Sequence, residues 1–264
     1  MKPATKKRFG QHFLTDKHVL SAIIRAAELK SSETVLEIGP GRGVMSQAIL
    51  DTGASLKAVE IDRDLAKYLR ERFEGNEQFE LIEQDVLKLN FAEQLGPEPI
   101  KLVANLPYNV STPIFFALLK HRQQFKTITI MVQKEVGERL LHKGETKPLK
   151  DYGILSVASA LCFDSRLVCH VGPKSFSPPP KVDSVVLQLT PRPALSEDEA
   201  ALIALVRWGF AQRRKLLLSR VRKERPEDFE RLSEAAKLSI EGKRPENLSP
   251  SAWEELYREL NKGN

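Results

Sequence analysis

The sequence predicts an α/β fold: an open, mostly parallel sheet of seven strands covered by helices, followed by a small all-helical domain. Between Glu33 and Gln188, short β-branched apolar runs alternate with stretches whose apolar residues recur every three or four positions, which is typical of strands and crossover helices. After Thr190, Pro191 and Pro193 interrupt the chain and only helical patterns follow. We therefore predict two domains, residues 1–191 and 192–264.

The individual elements follow from these periods. The predicted strands are Thr34–Ile38, Ser55–Ile61, Phe79–Gln84, Ile100–Asn105, Lys126–Val132, Ser165–Val171 and Val182–Thr190. The predicted helices are Val44–Leu50, Arg63–Phe73, Pro113–Lys120, Glu135–His142 and Tyr152–Cys162, then Ser196–Phe210, Arg213–Lys223, Pro226–Ala236 and Ser249–Leu260. The segment 171–182 is rich in Gly and Pro, so we expect a loop that joins the last two strands as an antiparallel pair.

Composition excludes several classes of protein. Of the 264 residues, 41% are hydrophobic and 29% charged, which excludes disordered and collagen-like chains. No apolar run approaches the roughly 18 residues of a membrane span, and no apolar signal core follows the basic N-terminus, so we expect a cytoplasmic protein. Cys162 and Cys169 lie in apolar runs and have no His or Cys at the spacing of metal ligands, so we expect buried thiols and no metal. Nothing in the sequence suggests an obligate partner, and a monomer is expected.

The charge is concentrated in two places. The net charge is +6, but residues 207–225 alone contain eight basic residues and only Glu224 as an acid, a local charge of +7. A second basic cluster, Lys2, Lys6, Lys7 and Arg8, precedes the first hydrophobic run. Such clusters either form solvated surfaces or bind a polyanion such as nucleic acid.

A glycine-rich turn connects the first predicted strand to a helix. Its sequence is Glu37-Ile-Gly39-Pro-Gly41-Arg-Gly43, and Val44 stands where the third glycine of a dinucleotide-binding fingerprint would fall, so a nicotinamide cofactor is a poor match. Glu60 ends the second strand, where a carboxylate accepts hydrogen bonds from ribose hydroxyls. Asp85 follows the third strand, where it would accept from an adenine amino group. These three strand ends predict a nucleoside-binding site.

The fourth predicted strand ends in Asn105-Leu106-Pro107-Tyr108-Asn109. This motif combines a side-chain amide, a rigid turn and an aromatic ring, which suits a planar base carrying an amine. If the Asn105 oxygen and a carbonyl next to Pro107 accept the two amine protons, the nitrogen lone pair is directed at an electrophilic methyl group. Tyr108 would stack on the extruded base, and Phe176 would cover its other face.

The chain resembles the small-subunit ribosomal RNA adenine dimethyltransferase family (KsgA type). The resemblance spans nearly the whole chain and rests on Arg8-Phe-Gly-Gln-His-Phe-Leu14, Glu37 to Gly43, Glu60, Asp85, Asn105-Leu-Pro-Tyr-Asn-Val-Ser-Thr-Pro113, Phe176-Ser-Pro-Pro-Pro-Lys-Val-Asp-Ser184 and Phe210-Ala-Gln-Arg-Arg-Lys215. It implies a Rossmann-like S-adenosylmethionine-dependent methyltransferase fold. It also implies dimethylation of two adjacent adenosines in the hairpin near the 3′ end of small-subunit rRNA, with rRNA or a pre-assembled small subunit as the partner.

The resemblance implies roles for individual residues. The expected cofactor-binding residues are His12, Leu14, Gly39, Gly41, Glu60, Ile61, Asp85, Val86 and Asn105. The expected catalytic residues are Asn105, Leu106, Pro107, Tyr108 and Phe176, and the expected RNA-binding residues are Lys6, Lys7, Arg8, Lys181, Arg213, Arg214, Lys215, Arg220 and Arg222. Members of the family often carry Asn where this chain has His12, so a contact from that side chain is less secure than one from its backbone.

Two alternatives remain open from the sequence. A large-subunit rRNA methyltransferase of the macrolide-resistance kind, or a DNA adenine methyltransferase, would use the same chemistry, although DNA enzymes commonly show Pro at the Leu106 position. A non-catalytic assembly or transcription factor could retain the fold, but the motif residues Glu60, Asn105 and Tyr108 are all present.

Overall fold

The computed structural model describes residue 3 and residues 11–142, 152–194 and 198–261. The chain forms two compact units, one of residues 1–137 and 165–191 and the other of residues 138–164 and 192–264. The sequence-based boundary assigned residues 138–164 to the first domain. They belong to the second unit because they pack with the C-terminal helices: the Tyr152 hydroxyl donates to the Leu248 carbonyl at 2.8 Å.

The first unit is built on a sheet of seven strands within the described residues. The strands of the chain are β1 (Phe13–Leu14), β2 (Thr34–Ile38), β3 (Ser55–Glu60), β4 (Phe79–Glu83), β5 (Ile100–Asn105), β6 (Phe125–Gln133), β7 (Phe163–Val171), β8 (Phe176–Ser177) and β9 (Ser184–Pro191). The sheet order is β4-β3-β2-β5-β6-β9-β7. Strands β2 to β6 pair in parallel and β9 pairs antiparallel to β6. The predicted seven-stranded, mostly parallel sheet is confirmed.

The helices follow the predicted order with three differences. They are α1 (Lys17–Ala27), α2 (Val44–Leu50), α3 (Arg63–Arg72), α4 (Phe91–Leu95), α5 (Ser111–Lys120), α6 (Lys134–Leu141), α7 (Ile154–Cys162), α8 (Glu199–Ala211), α9 (Leu217–Glu224), α10 (Pro226–Arg231), α11 (Glu234–Ile240) and α12 (Pro250–Leu260). The prediction missed α1 and α4. The helix predicted over 226–236 is two helices, because Ser233 caps a new start by accepting from the Ala236 amide.

Helix α1 and the two-residue strand β1 were not foreseen. Asp16 caps α1 by accepting from the His18 and Val19 amides. Strand β1 pairs antiparallel with β8, so that Leu14 lies opposite Phe176. A two-residue strand has no detectable hydrophobic period, so this pairing could not be read from the sequence.

The core explains why the sheet forms here. Strands β2, β3 and β5 are buried along nearly their whole length, as expected of parallel strands covered on both faces. Residues of α1 and α2, among them Ile23 and Ile49, pack against them in one hydrophobic cluster. Cys162 is buried, whereas Cys169 is partly exposed, which corrects the expectation of two buried thiols. Among the described helices, none is long and apolar enough to span a membrane.

Candidate active site

The carboxyl ends of β2, β3, β4 and β5 meet at one edge of the sheet, where they line a cavity of about 310 Å³. This is where parallel α/β sheets bind their ligands. All nine residues expected to bind the cofactor line the cavity: His12, Leu14, Gly39, Gly41, Glu60, Ile61, Asp85, Val86 and Asn105. Leu106, Pro107 and Tyr108 line it as well. The sequence motifs are therefore brought together at one place.

Gly41 and Gly43 of the glycine-rich turn are each needed for a different reason. Gly41 has φ of +59°, and a Cβ there would lie 2.9 Å from the Phe13 ring, which covers the turn. Gly43 has φ of +71°, and a Cβ there would lie 2.9 Å from both Leu69 and Phe73. Gly41 therefore keeps the backbone open towards the cavity wall. Gly43 instead allows close packing of the turn on α3.

Glu60 is the carboxylate at the end of β3. It is only 5% exposed. Its two oxygens accept from backbone amides, Oε2 from Gly41 at 3.2 Å and Oε1 from Asp62 at 2.9 Å. Burial raises the pKa of this carboxyl, whereas the bonds from the Asp62 and Gly41 amides lower it. Each carboxylate oxygen retains acceptor capacity, which is what two ribose hydroxyls require.

Glu37 is a cavity residue to which the sequence analysis gave no role. Its side chain is fully buried in β2, and Oε2 accepts from the Ser46 hydroxyl at 2.6 Å. Within the described residues, Oε1 has no hydrogen-bond partner. Burial raises the pKa of the Glu37 carboxyl to about 8, the Ser46 bond lowers it, and the nearby Glu60 raises it further. The sequence signal that could have identified Glu37 is an acidic residue in a mostly apolar strand.

The other wall of the cavity is apolar and exposed. Ile61 and Leu87 are 48% and 45% exposed, although both side chains are large and hydrophobic, and both line the cavity. Asp85 lies two residues before Leu87, and its Oδ1 accepts from the Leu87 amide at 3.0 Å. Exposed apolar side chains beside a carboxylate suit a flat ring with an amine at its edge.

The Asn105–Tyr108 segment is held by hydrogen bonds at each residue. Asn105 Nδ2 donates to the His12 carbonyl at 3.1 Å, and the Leu106 amide donates to the Met131 carbonyl at 3.1 Å. The Pro107 carbonyl accepts from the Val110 amide. The Tyr108 ring stacks on the His12 imidazole with 5.5 Å between ring centroids. The backbone of this segment is therefore held in place before any ligand binds.

His12 and Phe176 take positions that the sequence did not foresee. His12 Nδ1 lies 2.8 Å from the Pro178 carbonyl, so the imidazole ties the N-terminal segment to the loop after β8. Phe176 is 4% exposed and belongs to the hydrophobic cluster of the sheet, and it is absent from the residues that line the cavity. Its pairing opposite Leu14 places the Phe176 ring in the core rather than on the cavity wall, so its role over the target base stays a prediction.

The expected RNA-binding residues have very different environments. Lys6, Lys7 and Arg8 lie outside the described residues, and Lys181 is exposed in the first unit. In the second unit, Arg214, Lys215 and Arg222 are exposed, whereas Arg213 Nε donates to Glu246 at 2.5 Å.

Arg220 is the exception, and its assignment to RNA is corrected. It is 5% exposed. Its guanidinium donates to the Glu224 carboxylate and to the carbonyls of Trp208 and Gly209. Those carbonyls belong to the last turn of α8, where a helix has no i+4 amides to offer, and the Gly209 carbonyl also accepts from the Gln212 amide. Arg220 therefore completes the end of α8 and is not one of the exposed cations.

Comparison with known proteins agrees with this geometry. A family model described as ribosomal RNA adenine dimethylase matches residues 3–262. The chain belongs to the ribosomal RNA adenine dimethylase family. It is 39% identical to a ribosomal RNA small subunit methyltransferase A of Parasynechococcus marenigrum over 98% of this chain and 88% of that protein. It is 45% identical to the protein of that name from Thermosynechococcus vestitus over 80% of each chain.

Two solved structures extend this likeness. A dimethyladenosine transferase from Plasmodium falciparum superposes with a TM-score of 0.78 and 30% identity, over 95% of this chain and 98% of that one. The 23S rRNA methyltransferase ErmE superposes with a TM-score of 0.69 and 28% identity, over 94% and 99%. As a member of the dimethylase family, the chain dimethylates adenine in ribosomal RNA with S-adenosylmethionine as methyl donor.

The cavity fits this cofactor. Its lining includes the carboxyl groups of Glu60 and Asp85, the basic side chain of Arg42 and the buried Glu37 carboxyl, whose pKa is raised to about 8, so the site offers hydrogen-bond partners for the ribose and adenine of the cofactor. Glu60 has the buried carboxylate that would bind a ribose, and Glu37 Oε1 is a buried polar atom without a hydrogen-bond partner in the described chain. The volume of about 310 Å³ is in the range of small-molecule sites.

Proposed function

We propose that the protein transfers two methyl groups to the 6-amino group of each of two adjacent adenosines in the hairpin near the 3′ end of small-subunit rRNA. The small-subunit target is supported by relatives 39% and 45% identical that carry that name, against 28% identity to a 23S rRNA methyltransferase. The observation that carries the chemistry is Asn105, held by His12 at the edge of the cavity.

Asn105 and Leu106 are the acceptors for the amine protons. One Nδ2 hydrogen of Asn105 is donated to the His12 carbonyl, and Oδ1 is the acceptor atom that this side chain offers to a ligand. The Pro107 carbonyl already accepts from Val110, whereas the Leu106 carbonyl accepts no hydrogen bond from the described residues. Leu106 O is therefore the second acceptor. Holding both protons directs the nitrogen lone pair outward.

S-adenosylmethionine supplies an electrophilic methyl group on a positively charged sulfur. Glu60 binds the ribose, and Asp85 accepts from the adenine amine between the apolar side chains of Ile61 and Leu87. The chain's contribution is alignment of the acceptors and exclusion of water, and no general base is required. Tyr108, held against His12 on one face, offers its ring to the target adenine, a contact worth about 1–3 kcal/mol.

The exposed cations supply binding to the rRNA backbone. Arg214, Lys215 and Arg222 on the second unit and Lys181 on the first are available to phosphates. Lys6, Lys7 and Arg8 are proposed for the same role from the sequence alone. We propose that the protein acts as a cytoplasmic monomer on a pre-assembled small subunit. Light scattering measures its molar mass in solution and so tests the monomeric state.

The function is tested by transfer of radiolabelled methyl groups from S-adenosylmethionine. The substrates are unmethylated small subunits, free small-subunit rRNA, large subunits and duplex DNA, and the product nucleoside is identified by chromatography and mass. We expect dimethyladenosine in the small subunit only. Label in large-subunit rRNA or DNA would overturn the target, and cofactor binding without any transfer would favour an assembly factor.

A further inference from the structure

Ser184 is a buried residue that the reaction described above does not use. It begins β9 and is fully buried. Its Oγ lies 2.5 Å from the Tyr108 phenol oxygen. The two residues are 76 positions apart in the chain, so this contact exists only in the folded protein.

The sheet fixes the backbone of Ser184. Ser184 pairs with Gln133 at the end of the β6–β9 ladder. Next to it, the Asp183 carbonyl accepts from the Lys134 amide at 2.9 Å. Both sides of the pairing are thus tied, and the serine rotamer is the remaining freedom.

The backbone of Tyr108 is held in place, but its side-chain ring is less restricted. The Ser111 hydroxyl donates to the Tyr108 carbonyl at 3.3 Å, which anchors the main chain. The ring itself can still rotate about its side-chain bonds, and the phenol oxygen is the atom farthest from the backbone. A hydrogen bond at that atom restricts the ring most effectively. Burial raises the pKa of the Tyr108 phenol and the Ser184 bond lowers it, so the phenol stays neutral and can donate or accept.

We propose that Ser184 is a positioning residue for methyl transfer, whose hydroxyl holds the Tyr108 ring at the tilt that the target adenine requires. The proposal rests on the stacking role of Tyr108 proposed above. Ser184 is not among the residues that line the cavity, and it acts on the reaction through the Tyr108 phenol.

A double-mutant cycle tests the coupling. The variants are Ser184→Ala, Ser184→Thr, Tyr108→Phe and Ser184→Ala/Tyr108→Phe, with Tyr108→Ala as the loss of the ring. The first readout is kcat and KM for small-subunit substrate. The second is the fluorescence of an RNA hairpin with 2-aminopurine at a target position, which stacking on Tyr108 quenches. Cofactor affinity by calorimetry shows whether the cofactor site is intact.

We expect Ser184→Ala to lower kcat/KM for RNA by about tenfold and to weaken the quenching, since one hydrogen bond is lost. Ser184→Thr, which keeps the hydroxyl, recovers most of that loss. Tyr108→Phe breaks the same bond from the other side, gives a similar loss and makes Ser184→Ala silent in its background. The Tyr108→Phe variant therefore still tests the hydrogen bond if the Ser184→Ala variant fails to fold.

Thr129→Val is the matched control. Thr129 is a fully buried hydroxyl residue on the neighbouring strand β6, and its Oγ1 has no partner in the described chain. It should change neither quenching nor kcat/KM.

The outcomes separate the two proposals. If Tyr108→Ala leaves quenching and kcat/KM unchanged, the stacking role of Tyr108 is wrong and the Ser184 proposal falls with it. If Tyr108→Ala is impaired but Ser184→Ala behaves as wild type, or if the losses in the double variant simply add, only the positioning role of Ser184 is overturned.

Discussion

The side-chain amide of Asn105 donates to the backbone carbonyl of His12 across 3.1 Å, joining two residues that are 93 positions apart. This bond engages the amide nitrogen and leaves Oδ1 as the acceptor that the side chain offers at the cavity. It also explains why the family's frequent replacement of His12 by Asn is compatible with the site, because the contact uses the main chain. The imidazole has a separate task between Tyr108 and Pro178.

Asn105→Ala should abolish methyl transfer, with kcat reduced by about 10²–10³-fold or more. The reason is that the amine loses its side-chain acceptor and the His12 segment loses its tether. Cofactor binding by calorimetry should remain measurable. Wild-type turnover in this variant would refute the assignment of Asn105.

Glu60→Ala should weaken S-adenosylmethionine binding by roughly 10–100-fold, since a charge-assisted acceptor contributes about 1.5–3 kcal/mol. Calorimetry measures the affinity, and a thermal scan checks that the glycine-rich turn, which binds Glu60 through Gly41, is still folded. Glu83→Ala is the control, because Glu83 lies opposite Glu60 on β4 and pairs with Arg70. Equal affinity of both variants would exclude Glu60 from the ribose site.

Glu37 should make the cofactor-free protein less stable as the pH rises. Its folded-state pKa is about 8 against an ordinary value of 4.5, so the folded state binds more protons than the unfolded chain between those two pH values. The free energy of unfolding therefore falls with pH in this window, by up to about 1.4 kcal/mol per pH unit from this group.

Glu37→Gln should flatten that dependence. Denaturant titrations at pH 5 and pH 8 measure it, because the difference in free energy of unfolding between the two should shrink in the variant. The exposed Glu77→Gln should leave the difference unchanged. An identical pH dependence in wild type and Glu37→Gln would show that Glu37 is not held protonated.

Replacing Arg214, Lys215 and Arg222 together with Gln should weaken rRNA binding and reduce its dependence on salt. Each lost phosphate contact lowers the slope of log affinity against log salt by about 0.7–0.9. Filter binding from low to moderate salt measures this slope. Gln at Lys67, Lys88 and Lys120, exposed on the first unit, controls for net charge, and equal slopes in both triple variants would place the RNA surface elsewhere.

Arg220→Met should instead destabilise the second unit, by on the order of 3 kcal/mol, because the Trp208 carbonyl loses its side-chain donor and the Gly209 carbonyl and Glu224 each lose one of their donors. Arg220→Lys should recover little, since an ammonium cannot reproduce the fork of a guanidinium. Chemical denaturation measures the loss. A stable Arg220→Met variant with a lowered RNA salt slope would restore Arg220 to the RNA surface.

The sequence by itself determined the seven-stranded sheet, the helical C-terminal segment and the strand-end positions of Gly39, Glu60, Asp85 and Asn105, whereas His12 and Leu14 were expected only from the family resemblance. It could do so because apolar period and strand-end position are local properties. The carboxyl ends of neighbouring parallel strands must meet at one edge, so Gly39, Glu60, Asp85 and Asn105 converge once the strands are correct.

Only the tertiary structure decided which side chains are available to a ligand. Arg220 and Arg222 look equivalent in the sequence. In the structure, Arg220 donates to carbonyls at the end of α8, whereas Arg222 is exposed. Phe176 follows a motif but turns into the core because β8 pairs with β1. The Ser184–Tyr108 and Asn105–His12 contacts join distant segments. Burial and long-range hydrogen bonds depend on what the rest of the chain places nearby, and no local pattern contains that information.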